Sequence, residues 1–485
     1  MINEYNLEKL IEKKNNIKKI FMYRVCGTGM GAAACLLKEK GYLVEGADTV
    51  FLPPMSDYLK STGIPCSNLS KISKEYLQKF DLIVVGNVVP RNSKDAELIE
   101  SLGIPFSSFP ATIGSLVLQE LNIVGIAGTH GKTTTTYLLM QMFSHFNMSP
   151  GYFIGGVLDG YNSAKLGDGK YFFIESDEYD CAYFEKRSKF HDYFINHLII
   201  TSLEFDHGDI FESIQDIKNE FKDLLSTSVD GQLIYSEDYN ACNKLVSESQ
   251  EILKSSIVNK YGLNSQLGPI NIYEDKNGSS FSLVLNSKEE KFETNLVGEH
   301  NILNLTSAIV FSFYEKIDLE LIKSAVKNLK LVKRRQEEKG YFKSSMVIDD
   351  FAHHPTAVSA TIQSLRAKYP KQKLMIVFEP ASATSRSSIF EDRFVESLRA
   401  ADSVLIARPK NSTTIKSSTD LDCDLIAEKL NDSNVYSVVC DNLHSLLQYI
   451  SSHREENSII AILSNSNCLG IWQSSFSESL QNLPS

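Results

Sequence analysis

Asn122-Ile123-Val124-Gly125-Ile126-Ala127, followed by Gly128-Thr129-His130-Gly131-Lys132-Thr133-Thr134, decides how the chain is read. The first six residues form a short apolar run bounded by polar neighbours, the pattern of a buried strand. Two glycines and a Thr-rich helix start follow. A strand that turns through glycine into a helix aims several backbone N–H groups at one point and adds the positive end of the helix dipole. Lys132 contributes a cation for β- and γ-phosphates, and the Thr133 hydroxyl a hard oxygen for Mg²⁺. The spacing departs from the general G-x-x-x-x-G-K-[ST] loop, whose first glycine would fall at Ile126. The competing reading is an ordinary Gly/Thr turn before a helix, and Gly-Lys-Thr directly after an apolar strand weighs against it. As a loop residue, Lys132 is expected to face solvent.

Downstream runs at Tyr171–Glu175, His197–Leu203 and Gln232–Tyr235 read as further strands. The first ends in Glu175-Ser176-Asp177-Glu178-Tyr179-Asp180, the second in Thr201-Ser202-Leu203-Glu204-Phe205-Asp206-His207. In an open α/β sheet the carboxyl ends of parallel strands line one crevice. Carboxylates there can hold a metal ion or its water in the oxygen-rich shell Mg²⁺ prefers. Alone, each segment reads as a solvated acidic turn or a capped helix start. Their shared position after strands downstream of the loop favours a site.

Strand-like runs alternate with helical patterns on both sides of this block. Before it lie Ile20–Val25, Tyr42–Ala47 and Asp81–Gly86, with a helical stretch near Gly31–Lys40. Gly27-x-Gly29-x-Gly31-Ala32 follows the first run and Asp48 closes the second, close to a dinucleotide fingerprint. With a phosphate loop directly downstream, these amides read better as a cradle for the diphosphate of a UDP-sugar. Met30 is placed in that turn. After Lys333-Arg334-Arg335, runs at Met346–Ile348, Leu374–Phe378, Val404–Ala407, Val435–Val439 and Ile459–Leu463 predict another open α/β sheet. The stretch from about Ile257 to Thr294 is expected as a β-rich insert, and the Lys-rich start, Met1–Lys19, as a short solvated helix or a loose arm. The predicted architecture is three α/β domains in series, bounded at 1–110, 111–332 and 333–485.

Composition bounds the function. The 485 residues exceed what one hydrophobic core usually organises. A net charge of −11 argues against a general nucleic-acid binder, which carries a basic face. The eight cysteines include no close C-x-x-C pair, so neither a zinc knuckle nor a disulfide framework is indicated. No early apolar segment and no bilayer-length run occurs, so no membrane partner and a cytoplasmic location are expected.

From about residue 20 to 475 the chain resembles the Mur ligase family. The strings that carry the likeness are the G-T-x-G-K-T form of the phosphate loop and Cys26-Gly27-Thr28-Gly29-Met30-Gly31. Leu52-Pro53-Pro54-Met55-Ser56, Glu178-Tyr179-Asp180-Cys181-Ala182 and Lys186-Arg187-Ser188-Lys189-Phe190 add to it, as do Leu203-Glu204-Phe205-Asp206-His207 and Asp349-Asp350-Phe351-Ala352-His353-His354-Pro355-Thr356. The Pro-Pro-Met-Ser and Lys-Arg-Ser-Lys strings resemble the branch that re-uses murein peptides. The resemblance implies a Rossmann-like N-terminal domain for a UDP-sugar, a central P-loop ATPase domain and a Rossmann-like C-terminal domain for the incoming peptide. It implies an ADP-forming amide ligase that uses ATP and Mg²⁺ to join UDP-N-acetylmuramate to L-alanyl-γ-D-glutamyl-meso-diaminopimelate through an acyl-phosphate.

The likeness also implies roles for matching positions. Gly27, Thr28, Gly29, Met30, Gly31, Asp48 and Asn87 fall at the UDP-sugar. Gly128, Thr129, His130, Gly131, Lys132, Thr133 and Thr134 cradle ATP, with Asn301 and Asn304 at adenine and Arg335 and Asp350 closing over ATP. Thr133, Glu175 and His207 fall at Mg²⁺, so Lys132, Glu175, His207 and Arg335 carry the catalysis. His353, His354, Ser382 and Arg386, with Lys186, Arg187 and Lys189, are candidates for the peptide. One departure stands out: Glu379-Pro380 is followed by Ala381-Ser382, where the family pattern leads one to expect Arg before Ser. Lys222, near a position that some siblings carbamoylate, reads as a surface lysine. Three other readings stay open: a sibling that adds L-alanine, a regulatory or motor-like P-loop ATPase, and an NAD-binding oxidoreductase built on the first glycine turn.

Overall fold

The computed structural model describes residues 3–482 apart from 52–54, 157, 159, 228, 412–414 and 416–417. Leu52-Pro53-Pro54 of the Pro-Pro-Met-Ser string therefore lies outside the described residues. By packing, the chain divides into two compact units. The first holds Met1–Glu204, Ile214–Gly268 and Asn304–Val326; the second holds Phe205–Ser213, Pro269–Leu303 and Lys327–Ser485.

The first unit contains two sheets. One is five-stranded and wholly parallel, in the order Cys66–Asn68, Leu43–Asp48, Lys19–Tyr23, Leu82–Val85, Phe106–Ser108. Its central strands are apolar on both faces because helices cover both, as parallel sheets require; all four residues of Leu82–Val85 are buried. The chain order reverses between Lys19–Tyr23 and Leu82–Val85, which opens a crevice at their carboxyl ends. Helix Thr28–Glu39 leaves that crevice, buried from Met30 through Leu37. Met30 is thus a buried helical residue rather than part of the turn, because the helix begins at Thr28 directly after Gly27. The Lys-rich start does form a helix, Leu7–Lys13, with Glu8, Glu12 and Lys13 exposed to solvent and one residue buried. Its Leu10 is fully buried, Tyr5 N donates to Phe106 O at 2.8 Å and Phe106 N to Asn3 O at 2.9 Å.

The other sheet runs Ile257–Tyr261, Gln232–Ser236, Ile195–Ile200, Asn122–Ala127, Tyr171–Glu175, Gly151–Phe153, Ala164–Lys165, parallel except at the last pair. The region from Ile257 to Thr294 is therefore two things rather than one insert. Ile257–Tyr261 extends this sheet, while Ile270–Asp275, Gly278–Leu285 and Lys288–Thr294 form an antiparallel sheet in the second unit. Asn286 and Ser287, at φ +48° and +63°, make the tight two-residue turn between the last two strands.

The second unit also carries a six-stranded sheet, ordered Glu337–Phe342, Ser345–Asp350, Ile459–Ser464, Leu374–Glu379, Ser403–Ala407, Tyr436–Cys440. Only the edge strand Glu337–Phe342 runs antiparallel. Alternate residues feed two cores: Ile348, Ile376 and Phe378 on one face, Val347, Met375 and Val377 on the other. With three parallel-type sheets flanked by helices, the chain is a three-domain α/β protein. None of the eight cysteines is in a disulfide. Among the described residues no helix is long and apolar enough to cross a membrane.

Candidate active site

Strand register brings three loops of the first unit to one sheet edge. Ile126 pairs with Glu175 and Ala127 with Ile200, so the loops beginning at Gly128, Ser176 and Thr201 emerge side by side. Gly128 and Gly131 adopt φ +127° and +83°, which L side chains avoid. A Cβ on Gly128 would meet Ser202 O at 2.6 Å, and one on Gly131 would run into Asn304 Oδ1. The neighbouring strand end fixes the loop: Thr129 N donates to Ser202 O at 3.2 Å and His130 N to Ser202 Oγ at 2.7 Å. Glu204 N donates to Thr129 Oγ1 at 2.8 Å, and the Glu204 carboxylate lies 3.1 Å from His130 Nε2.

Gly131 caps helix Lys132–His145, so Lys132 is its first residue. Its side chain is only 11% exposed, not solvent-facing as a loop lysine would be. The ammonium donates to Gly128 O at 2.6 Å and to Glu178 Oε2 at 3.0 Å, with Asp177 at 3.8 Å. Burial alone would lower its pKa; Glu178, Asp177 and Glu175 outweigh burial and raise it. The lysine is thus held charged in a dry setting, where phosphate oxygens can take over its carbonyl and carboxylate partners. Thr133 Oγ1 donates to Glu175 Oε1 at 2.7 Å, and Gly155 N to Glu175 Oε2 at 2.7 Å. This hydroxyl–carboxylate pair is an oxygen donor set that fits Mg²⁺.

The Lys-Arg-Ser-Lys run faces its own chain's acids. Lys189, 15% exposed, sits 2.7 Å from Asp177; Lys186 pairs with Asp180; Arg187 pairs with Asp192 and, at 3.1 Å, with Glu185. Asp180 and Ser188 form an antiparallel bridge that closes the segment into a hairpin-like clasp. Lys222 is exposed.

At the first glycine loop, Gly27 caps helix Thr28–Glu39 with ordinary φ −67° and has nothing within 4 Å of where a Cβ would stand. Gly29 and Gly31 are helical and make room for Phe109 and Met55. Asp48 braces the turn, its Oδ2 accepting from Cys26 N at 2.8 Å and Oδ1 from Thr49 N at 2.7 Å. Asn87, after the strand across the crevice, donates to Asp180 Oδ1 at 3.1 Å.

In the second unit, His207 holds a left-handed φ of +54° and donates its N–H to Asp206 Oδ1 at 2.7 Å. Burial would raise the Asp206 pKa, but His207, His353 and His354 together hold it well below the usual carboxylate range. His354 caps helix Pro355–Lys368, and His353 Nδ1 lies 2.9 Å from Phe351 O. Ser382 and Arg386 shape the turn that contains them: Ser385 N donates to Ser382 Oγ at 3.0 Å, and Arg386 reaches Ala381 O. Asp350 is buried and accepts from Gln336 N and Ala352 N, both at 2.8 Å. Arg335 lies over the Phe351 ring at 5.0 Å. Asn301, also buried, donates to Val297 O at 2.8 Å. Asn304 belongs to the first unit, beside Gly131. The sequence reading did not single out Ser202 or Glu178; their positions just after strands flanking the loop were the available signal.

Three domain profiles match in order: "Mur ligase family, catalytic domain" over residues 19–120, "Mur ligase middle domain" over 126–312, and "Mur ligase, glutamate ligase domain" over 334–465. The chain is 32% identical over 468 residues to the UDP-N-acetylmuramate–L-alanyl-gamma-D-glutamyl-meso-2,6-diaminoheptandioate ligase of Haemophilus influenzae, covering 94% of this chain and 98% of that protein. It is 30% identical over 436 residues to the UDP-N-acetylmuramate–L-alanine ligase of Lactobacillus delbrueckii subsp. bulgaricus, covering 89% and 93%. The crystal structure of a murein peptide ligase from Psychrobacter arcticus matches with a TM-score of 0.70 at 27% identity, across 96% of this chain and 100% of that one. Joined to a buried lysine in a strand–glycine–helix loop, these matches along the whole chain place it in the Mur ligase family, whose members are ATP-dependent ligases that form carbon–nitrogen bonds.

Proposed function

We propose that the protein joins the carboxylate of UDP-N-acetylmuramate to the amino group of L-alanyl-γ-D-glutamyl-meso-diaminopimelate, forming ADP and phosphate, in the re-use of murein peptides. The observation that carries the ATP half of this reading is Lys132, buried and charged between Gly128 O and Glu178. A carboxylate does not acylate an amine at neutral pH, because oxide would have to leave; ATP supplies the phosphoryl group that makes that oxygen a good leaving group. The chain's task is positioning and charge neutralisation. Lys132 and Arg335 offset charge on the transferred phosphoryl group. Thr133, Glu175 and His207 are the proposed Mg²⁺ ligands, with the metal supplying further neutralisation. Asn301, Asn304 and Asp350 are assigned to the nucleotide, and Gly27 to Gly31, Asp48 and Asn87 to the UDP-sugar. Domain boundaries at 1–110, 111–332 and 333–485 fit this division of labour. ATP and a UDP-sugar as substrates point to the cytoplasm.

Two features support the tripeptide as the amine. The ligases named for it are 32% and 33% identical to this chain, against 29% and 30% for ligases named for L-alanine. The Lys-Arg-Ser-Lys string also matches that branch. A second reading, addition of L-alanine, draws on the ion pairs: Lys186, Arg187 and Lys189 already face Asp180, Asp192 and Asp177 rather than standing free for a peptide's carboxylates. The tripeptide's extra charges then fall to His353, His354, Ser382 and Arg386. The test is ADP release with UDP-N-acetylmuramate and either amine. We expect kcat/KM for the tripeptide to exceed that for L-alanine by at least about 100-fold, since a site built to hydrogen-bond a substrate's polar groups discriminates strongly against an analogue that lacks them. Equal or better use of L-alanine overturns the tripeptide and leaves the ligase.

A further inference from the structure

Two consecutive arginines, Arg334 and Arg335, lie just before the edge strand Glu337–Phe342, and two consecutive aspartates end the next strand, Ser345–Asp350. Neighbouring residues of a strand point to opposite faces. Asp349 therefore shares a face with Val347 and one core, and Asp350 shares a face with Ile348 and the other. The arginines divide between them. Arg334 Nε donates to Asp349 Oδ2 at 3.2 Å, while Arg335 is the first charge opposing the burial of Asp350. The Phe351 ring takes both guanidinium groups, at 5.3 Å and 5.0 Å.

The turn that presents Arg335 is strained. Arg334 and Gln336, on either side of it, have φ +60° and +51°, a left-handed conformation unfavourable for residues with a Cβ. Fixed partners hold it there. Arg334 N donates to Glu337 Oε2 at 3.0 Å, and Phe351 N donates to Arg334 O at 2.8 Å. Arg334 Nη2 donates to Ser464 O at 2.6 Å and Ser466 O at 2.9 Å, at the end of strand Ile459–Ser464 and just after it. One planar fork thus grips the ends of two adjacent strands, which an ammonium does not reproduce. Asp349 is poorly served in return: its Oδ1 is buried without a hydrogen-bond partner.

We infer that Arg334 is a positioning residue: gripping Asp349 and the Ser464 and Ser466 carbonyls, it holds the strained turn so that Arg335 meets the nucleotide's phosphates. The inference rests on the role proposed above for Arg335; Arg334 is assigned no substrate contact, its guanidinium being taken by Asp349, Ser464 O and Ser466 O. The test is ADP formation by Arg335→Ala, Arg334→Ala, Arg334→Lys and the double alanine variant. Arg335→Ala is expected to lose about 1000-fold in kcat. Arg334→Ala is expected to lose about 100-fold in kcat with KM for the UDP-sugar unchanged, and Arg334→Lys to recover little of it. The double variant is expected to stay within about threefold of Arg335→Ala, because the two residues act as one unit. A double variant showing the product of the two single losses overturns the inference, as does parental kcat in Arg334→Ala. Parental turnover in Arg335→Ala instead overturns the role of Arg335. Should Arg334→Ala not fold, Asp349→Asn keeps the carbonyl grip and carries the same expectation of a kcat-specific, non-additive loss; parental kcat in that variant overturns the inference.

Discussion

The loop after strand Lys19–Tyr23 and the loop after strand Asn122–Ala127 both turn through glycine into a helix, yet their surroundings differ. The first is open: Gly27 has ordinary backbone angles and empty space beside it, and a nearby acid, Asp48, is committed to Cys26 N and Thr49 N. The second is crowded and charged. Its glycines are left-handed, Ser202 holds two of its amides, and its acids, Glu175 and Glu178, bind the Thr133 hydroxyl and the Lys132 ammonium. Both loops share the same local strand–glycine–helix pattern. What separates the open turn from the crowded one is the set of partners that neighbouring strands deliver.

The largest effect should come from the lysine. Lys132→Ala is expected to lose at least about 1000-fold in ligation, the scale of a removed phosphoryl-transfer charge. Because Glu178 is 2% exposed, the variant should also lose on the order of 3 kcal/mol of stability through a carboxylate left buried. Ligation within tenfold of the parent breaks the comparison, and unchanged urea unfolding removes the burial argument.

Next comes glycine against glycine. Gly131→Ala is strained in φ and collides with Asn304, so a loss of about 100-fold in ATP turnover is expected from the displaced loop. Gly27→Ala has room and an allowed φ, so stability should be unchanged, and any loss should fall on KM for the UDP-sugar alone. Equal losses in kcat for the two variants would erase the distinction.

Smaller again is the metal response. Thr133→Ala and Glu175→Gln each remove one oxygen partner and are expected to raise the half-saturating Mg²⁺ about tenfold, the lower end for removing a partner from a metal site. An unchanged Mg²⁺ titration in both leaves the pair as a structural hydrogen bond between the helix start and the neighbouring strand. The smallest effect belongs to Asp48→Ala. Two backbone N–H groups lose their acceptor, which should cost about 1–2 kcal/mol in chemical denaturation while KM for ATP stays put. A shift in KM for ATP would show the two loops to be coupled.

Much of this arrangement was legible as pattern. Continuous apolar runs announced the central strands of the three parallel-type sheets, because strands covered on both faces need no polar alternation. The strands missed were Cys66–Asn68, Phe106–Ser108, Gly151–Phe153 and Ala164–Lys165, each two or three residues long and too short to show a period. Glu337–Phe342 was missed for another reason: Glu-Glu-Lys-Gly has poor strand propensity, and only pairing with Ser345–Asp350 makes it one. The Lys-Arg-Ser-Lys run was visible as charge, but nothing in its spacing named Asp180, Asp192 and Asp177 as its partners.

By itself the sequence determined the strand–glycine–helix loop at Asn122–Thr134, the acids that follow the next strands and the α/β class, since each depends on residues close together in the chain. Only the tertiary structure decided that Lys132 is buried rather than solvent-facing, that Asp48 braces a turn and that Arg334 grips Asp349 and two distant carbonyls. The physical reason is that burial and charge pairing are set by which strands lie side by side. Glu178 reaches Lys132 across 46 residues of chain, and Ser464 meets Arg334 across 130.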